Sequence, residues 1–196
     1  MTVALPVTLG ILAGGRGTRL GGRDKAWIER DGMPLVVALA NRMVGQVGGV
    51  LVSANAGAGR YAGHGLRAIP DRVPGDGPMG GLQALAEACD QDWLLTLPVD
   101  VVSVPEGLPA ALLHAASGAG AFAEDDDGSQ PLVALWRVAP LRAAVADAMA
   151  RGEFAVHALQ SRLGFARVRF PGARFGNINT PQDLAALTGA GGKVQP

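Results

Sequence analysis

The sequence predicts a single α/β domain, built as a mostly parallel sheet with helices on both faces and one small antiparallel hairpin. Three observations predict it. Short apolar runs alternate with segments of helical period, each run stops at Gly, Pro, Asn or Asp, and the intervals are long enough for crossover helices. With 196 residues and 48% hydrophobic character, the chain can bury one substantial core, and no linker marks off a second.

The first strand covers residues 7–12 and ends in glycines. A helix over residues 35–46 follows from the spacing of Leu35, Leu39, Met43 and Val47, with Gly48-Gly49 as its stop. Residues 50–53, 66–69 and 93–97 read as further buried strands, the last preceded by a helix over 81–88. Then come a helix over 107–116, a strand over 119–123 and a strand over 132–137. Between those strands lies Glu124-Asp125-Asp126-Asp127-Gly128, read as a solvated hairpin tip whose Asp-Gly step predicts antiparallel pairing. Helices over 140–149 and 154–163 and a strand over 166–170 follow. A last helix opens at Thr180-Pro181-Gln182-Asp183, where cap, N1 proline and N3 acid stand in order. The domain is expected to run from residue 1 to 188, with 189–196 a flexible tail. A sheet of this kind collects ligands at the carboxyl ends of its strands.

Composition narrows the function. Seventeen basic residues balance 17 acidic ones, so the broad positive field used by non-specific nucleic-acid and membrane-surface binders is absent. Cys89 is the only cysteine, which excludes an intramolecular disulfide and a cysteine zinc site and points to a reducing compartment. No apolar run has spanning length, and no basic residue precedes the first apolar run, so a cytoplasmic protein without membrane partner is expected.

The loop after the first strand carries the chemistry. Residues 14–25 contain five glycines, three arginines and one lysine against a single acid. Such a loop can bring backbone N–H groups and cationic side chains to a phosphate. It is not a P-loop, because Lys25 follows Asp24 and no GxxxxGK[ST] fits. Nor is it a dinucleotide fingerprint, because Leu20 stands where the third glycine belongs. No Ser/His/Asp or Cys/His constellation offers a nucleophile. His64 and His114 lack a second ligand nearby in sequence, His157 reads as a packing or surface residue of its helix, and Trp27, Trp93 and Trp136 read as core or pocket wall.

Leu12-Ala13-Gly14-Gly15, Arg19-Leu20-Gly21 and Asp24-Lys25 together resemble the signature loop of the molybdenum cofactor guanylyltransferases, nucleotidyltransferases with a Rossmann-like sheet. Ser53-Ala54-Asn55, Pro70-Asp71, Gly77-Pro78-Met79-Gly80-Gly81-Leu82, Leu97-Pro98-Val99-Asp100, Gln130-Pro131-Leu132 and Asn177-Ile178-Asn179-Thr180-Pro181 resemble that family's landmarks in its order. The resemblance implies transfer of GMP from GTP to the terminal phosphate of Mo-molybdopterin, with Mg2+ and release of pyrophosphate. It implies that Leu12, Ala13, Gly14, Gly15, Lys25, Ser53, Asn55, Asp71, Gly80 and Asp100 bind the nucleotide. Arg19, Lys25 and Asp100 would be catalytic, Asp100 would hold the metal, and Asn177 and Asn179 would lie near the pterin substrate or metal. The family often has Asn where Ser53 stands, so part of the base recognition differs here. Cofactor-synthesis proteins and molybdoenzyme chaperones are the protein partners it allows.

The chemistry agrees with those residue types. Attack of a phosphate oxygen on an α-phosphorus joins two polyanions, so positioning and charge neutralisation suffice. Magnesium takes one or two protein carboxylates and completes its shell with phosphate and water, so one aspartate at a strand end is enough. The competing readings are a cytidylyltransferase for the same pterin, a sugar-phosphate nucleotidyltransferase, and a non-catalytic nucleotide binder. The sugar branch places a longer segment before its lysine; Lys25 and Asp100 argue against the non-catalytic reading.

Overall fold

In a computed structural model the described residues are 4–14 and 24–178, together with Asp183. The expected last helix and the tail therefore lie outside them, apart from that one residue. Seven strands form the main sheet: β1 (Leu5–Leu12), β4 (Val47–Ser53), β5 (Arg67–Ile69), β6 (Trp93–Pro98), β7 (Gly120–Asp125), β8 (Gly128–Arg137) and β9 (Ala166–Arg169). Their spatial order is β5-β4-β1-β6-β8-β7-β9. The pairs β5/β4, β4/β1, β1/β6 and β7/β9 are parallel, and β8 runs antiparallel to both β6 and β7. The expected fold class is what the structure shows.

Helices cover both faces. Val7, Leu9 and Ile11 of β1 pack on one side with α1 (Leu35–Met43), α4 (Leu108–Ala115) and Tyr61 of α2 (Ala58–Ala62). On the other side Leu12 meets a layer built from α3 (Gly77–Ala88), α5 (Val138–Ala150) and α6 (Val156–Arg162), around the fully buried Trp136. The run of apolar residues in β1 is thus the signature of a strand covered on both faces. Gly10 lets α3 approach, since a Cβ there would lie 2.9 Å from Leu85 Cδ1.

Three details depart from the sequence expectation. The helix over 35–46 ends at Met43; Gly45 at φ +80° turns the chain, and Val47, Gly48 and Gly49 already belong to β4. Gly48 is a strand position rather than a helix stop, and a Cβ on it would meet the Gln91 side chain at 2.5 Å and the Leu5 carbonyl at 3.3 Å. The acidic hairpin turns at Asp126 and Asp127, with Gly128 pairing Asp125 at φ +117°. Asp125 itself is only 2% exposed, so the acidic run is not solvated throughout. Finally, a two-stranded hairpin, β2 (Glu29–Arg30) with β3 (Met33–Pro34), precedes α1. Asp31 (φ 52°) and Gly32 (φ +76°) supply its turn. No described helix is long and apolar enough to cross a membrane.

Candidate active site

The chain runs from β1 outward through β4 and β5, then returns to β6 on the other side of β1. That reversal opens a crevice at the carboxyl ends of β1 and β6, where open α/β sheets bind ligands. Register fixes what surrounds it: Leu12 is level with Ser53 on one side and with Pro98 on the other, and Ser53 with Ile69. Residues just beyond these strand ends therefore share one rim. They are Ala13 and Gly14, Asn55, Asp71 and Asp100.

Two clusters form on that rim. In the first, Lys25 Nζ donates to Asp100 Oδ2 at 2.7 Å across 75 residues of chain. Asp24 orients the lysine locally, because its carboxylate accepts from the Ala26 N–H at 3.0 Å and caps a single 3-10 turn, Lys25–Trp27. The ion pair is 25% and 16% exposed. Both groups therefore remain reachable from solvent. An ammonium that can turn to phosphate beside a carboxylate that can take a hard cation is what a triphosphate site needs.

In the second cluster Asp71 is held from three directions. Ser53 Oγ donates to its Oδ1 at 3.0 Å, Asn55 Nδ2 donates to its Oδ2 at 2.9 Å, and Asn55 Oδ1 accepts from its backbone N–H at 2.8 Å. The first turn of α3 closes over this group. A Cβ on Gly80 would lie 3.4 Å from Asp71 Oδ2, one on Gly81 2.6 Å from Ser53 Oγ, and one on Gly14 3.7 Å from the same oxygen. The glycines leave room for the carboxylate and keep it near a helix N-terminus. The Ala13 N–H donates to the Ser53 carbonyl at 3.1 Å and the Leu12 carbonyl accepts from the Val99 N–H at 3.1 Å, so both residues tie the strand ends together.

Asn177 joins the first cluster through its backbone. It bridges Val101, and the next N–H, that of Ile178, donates to the Asp100 carbonyl at 3.1 Å. Gly15, Arg19 and Asn179 lie outside the described residues. Among the described residues no group of three His, Cys, Asp or Glu could cage a metal. His64 instead stacks near Trp27, with ring centroids 5.5 Å apart. A cation here would rest on the Asp100 carboxylate with the ligand's own oxygens, which suits magnesium.

Three residues around the site have no role assigned to them from the sequence. Arg30 Nη1 donates to the Val102 carbonyl at 3.2 Å, and the Arg42 guanidinium grips the Val104 carbonyl, with Nε at 2.9 Å. They brace the loop that leaves Asp100. Asp125 is the third, and its inward direction was legible: Ala121, Ala123 and Asp125 fall on the buried side at period two.

A family model described as the MobA-like NTP transferase domain matches residues 9–163, a span that contains the glycine loop, Lys25, Asp71 and Asp100. The chain belongs to this family. It is a nucleotidyltransferase. Within the family it is 42% identical over 179 residues to a molybdenum cofactor guanylyltransferase of Cereibacter sphaeroides, covering 89% of this chain and 92% of that one. It is 34% identical over 177 residues to a molybdenum cofactor guanylyltransferase of Yersinia pseudotuberculosis, covering 88% and 90%. Among solved structures, molybdopterin-guanine dinucleotide biosynthesis protein A from Archaeoglobus fulgidus superposes with a TM-score of 0.73 at 18% identity, over 95% of this chain and 100% of that one. That last likeness is one of fold.

Proposed function

We propose that this MobA-like nucleotidyltransferase transfers GMP from GTP to the terminal phosphate of Mo-molybdopterin. The observation that carries the reading is the Lys25–Asp100 pair at the crevice between β1 and β6, in a chain whose relatives are named for guanylyl transfer to the molybdenum cofactor. An oxygen of the pterin phosphate attacks the α-phosphorus of GTP, the bond from that phosphorus to the oxygen bridging the β-phosphate breaks, and pyrophosphate leaves. No side-chain nucleophile is required. The Lys25 ammonium turns from Asp100 to the triphosphate and neutralises charge there. Asp100 would hold Mg2+, which would supply charge neutralisation to the phosphate oxygens.

Asp71, oriented by Ser53 and Asn55, presents its remaining lone pairs to the guanine N1–H and exocyclic amine. Leu12, Ala13, Gly14, Gly15 and Gly80 line the nucleotide. Arg19 is assigned to the leaving pyrophosphate or the acceptor phosphate, and Asn177 and Asn179 to the pterin substrate. The reaction is placed in the cytoplasm, as a buried lone Cys89 permits. The test is pyrophosphate release with each of the four nucleoside triphosphates, with and without Mo-molybdopterin. Release should require both GTP and the pterin; release with CTP in preference to GTP, or with no pterin dependence, overturns the assignment.

A further inference from the structure

We infer that Asp125 is a positioning residue for Asp100, acting through the backbone of Phe175. Asp125 lies on the β7–β8 hairpin, and its hydrogen bonds go to Phe175, Asp127 and Gln130 rather than to the rim residues described above. Its Oδ2 accepts from the Phe175 N–H at 2.7 Å, and its Oδ1 from the Asp127 N–H at 3.0 Å and from Gln130 Nε2 at 3.1 Å. The carbonyl of the same Phe175 accepts from the N–H groups of Val102 and Ser103 at 2.9 and 3.0 Å. One peptide segment therefore links the hairpin to the loop that leaves Asp100. Gly176, at φ +60°, then turns the chain so that Asn177 bridges Val101 and Ile178 donates to the Asp100 carbonyl.

A buried carboxylate is an expensive way to hold a hairpin tip, because desolvation must be offset by every donor around it. A turn asparagine or serine would serve the tip alone. What the carboxylate adds is a second full acceptor, aimed at an N–H that arrives from the segment running past Asp100. The segment has other anchors: Phe170 N–H on the Glu124 carbonyl at 2.8 Å and Asp126 N–H on the Ala173 carbonyl at 3.1 Å. Loss of the Asp125 contact should therefore shift the strap beside Asp100 without unfolding the domain.

The inference rests on the guanylyl-transfer reading for its catalytic readout and on the structure alone for its positional one. Asp125→Asn supplies one acceptor oxygen, so its amide group must face a donor on one side. Adding Gln130→Glu removes the Gln130 donor and leaves only acceptors there, which favours the amide orientation that turns its oxygen to the Phe175 N–H. Hydrogen exchange and steady-state kinetics are measured on wild type, Asp125→Asn and the double variant. The single variant should exchange faster at Phe175, Val102, Ser103 and Ile178. It should lose about tenfold in kcat, with the KM for GTP within about twofold, since displacement of a catalytic group costs turnover before affinity. The double variant should recover both. Unchanged exchange at those four amides, or faster exchange with kcat intact, overturns the inference. If Asp125→Asn does not fold, Asp125→Ser replaces it, which keeps an acceptor for the turn and loses the oxygen on the Phe175 N–H, with the same exchange pattern expected and its absence equally decisive. A wild type that transfers no guanylyl group sinks the functional reading instead, and the exchange pattern then decides the positional claim by itself.

Discussion

Lys25 Nζ and Asp100 Oδ2 lie 2.7 Å apart, one on a turn after β1 and the other at the end of β6. The pair is partly exposed, so its worth to stability is about 1 kcal/mol or less. Its value is chemical: each partner holds the other in place until ligand arrives. Lys25→Ala should weaken GTP binding about tenfold, the size of one charge-assisted hydrogen bond, with a melting temperature within about 3 °C of wild type. Calorimetric titration with GTP checks it, and an unchanged affinity removes Lys25 from the triphosphate.

Asp100→Asn keeps the shape and removes the charge. Turnover should fall by about 100-fold or more, as when a group stabilising transition-state charge is lost. Near-normal turnover at limiting magnesium would assign the metal elsewhere.

Base selection should depend on Asp71 more than on Ser53. Asp71 is half-buried, and an acceptor that the wrong base leaves unpaired in the closed site can discriminate by roughly 10⁴-fold or more. Asp71→Ala should erase most of the GTP preference in a competition with CTP, whereas Ser53→Ala, which removes one of two side-chain donors to Asp71, should blunt it only mildly. The reverse ranking would make Ser53 the reader.

Gly81→Ala tests the packing beneath that site. The added methyl would lie 2.6 Å from Ser53 Oγ and 3.0 Å from Leu12 Cδ2, and both side chains are buried, which leaves them little room to give way. Denaturant titration should show a loss of about 1–3 kcal/mol, together with weaker GTP binding. Wild-type values for both would mean that α3 does not press on Ser53.

Two groups should mark the pH limits of stability. Burial raises the Asp125 carboxyl, but hydrogen bonds from Phe175, Gln130, Asp127 and Gly128 outweigh it and hold the group below its ordinary 3.8. Its contribution is complete above about pH 5 and is lost as pH falls through the lower folded value, so Asp125→Asn should flatten the acid limb of the melting profile. Tyr61 is the opposite case: burial, then the charge of Asp24, pushes its phenol to about 12. Wild type should lose about 1.4 kcal/mol per pH unit between roughly pH 10 and 12, where the unfolded phenol ionises and the folded one does not. Tyr61→Phe should abolish that loss. It should also leave neutral stability unchanged or higher, because among the described residues the buried Tyr61 hydroxyl makes no hydrogen bond of normal geometry. Parallel alkaline limbs for the two proteins would contradict this.

The sequence by itself determined the alternation of buried strands and helices, the hairpin near residue 125, and the identities of Lys25, Asp71 and Asp100 as rim residues. Apolar runs, turn residues and strand-end acids are local signals, and a parallel sheet converts strand ends into one rim. Local signals could not place the end of α1, because Val47 continues the helical spacing while pairing with Leu5 decides that it starts β4. Two-residue strands such as β2 and β3 have no period to read. Only the tertiary structure decided that Lys25 meets Asp100, that Asn55 and Ser53 converge on Asp71, and that the inward-facing Asp125 meets Phe175. Each of those contacts joins residues 16 to 75 positions apart, and a contact at that separation is fixed by sheet register and crossover, which no short stretch of chain encodes.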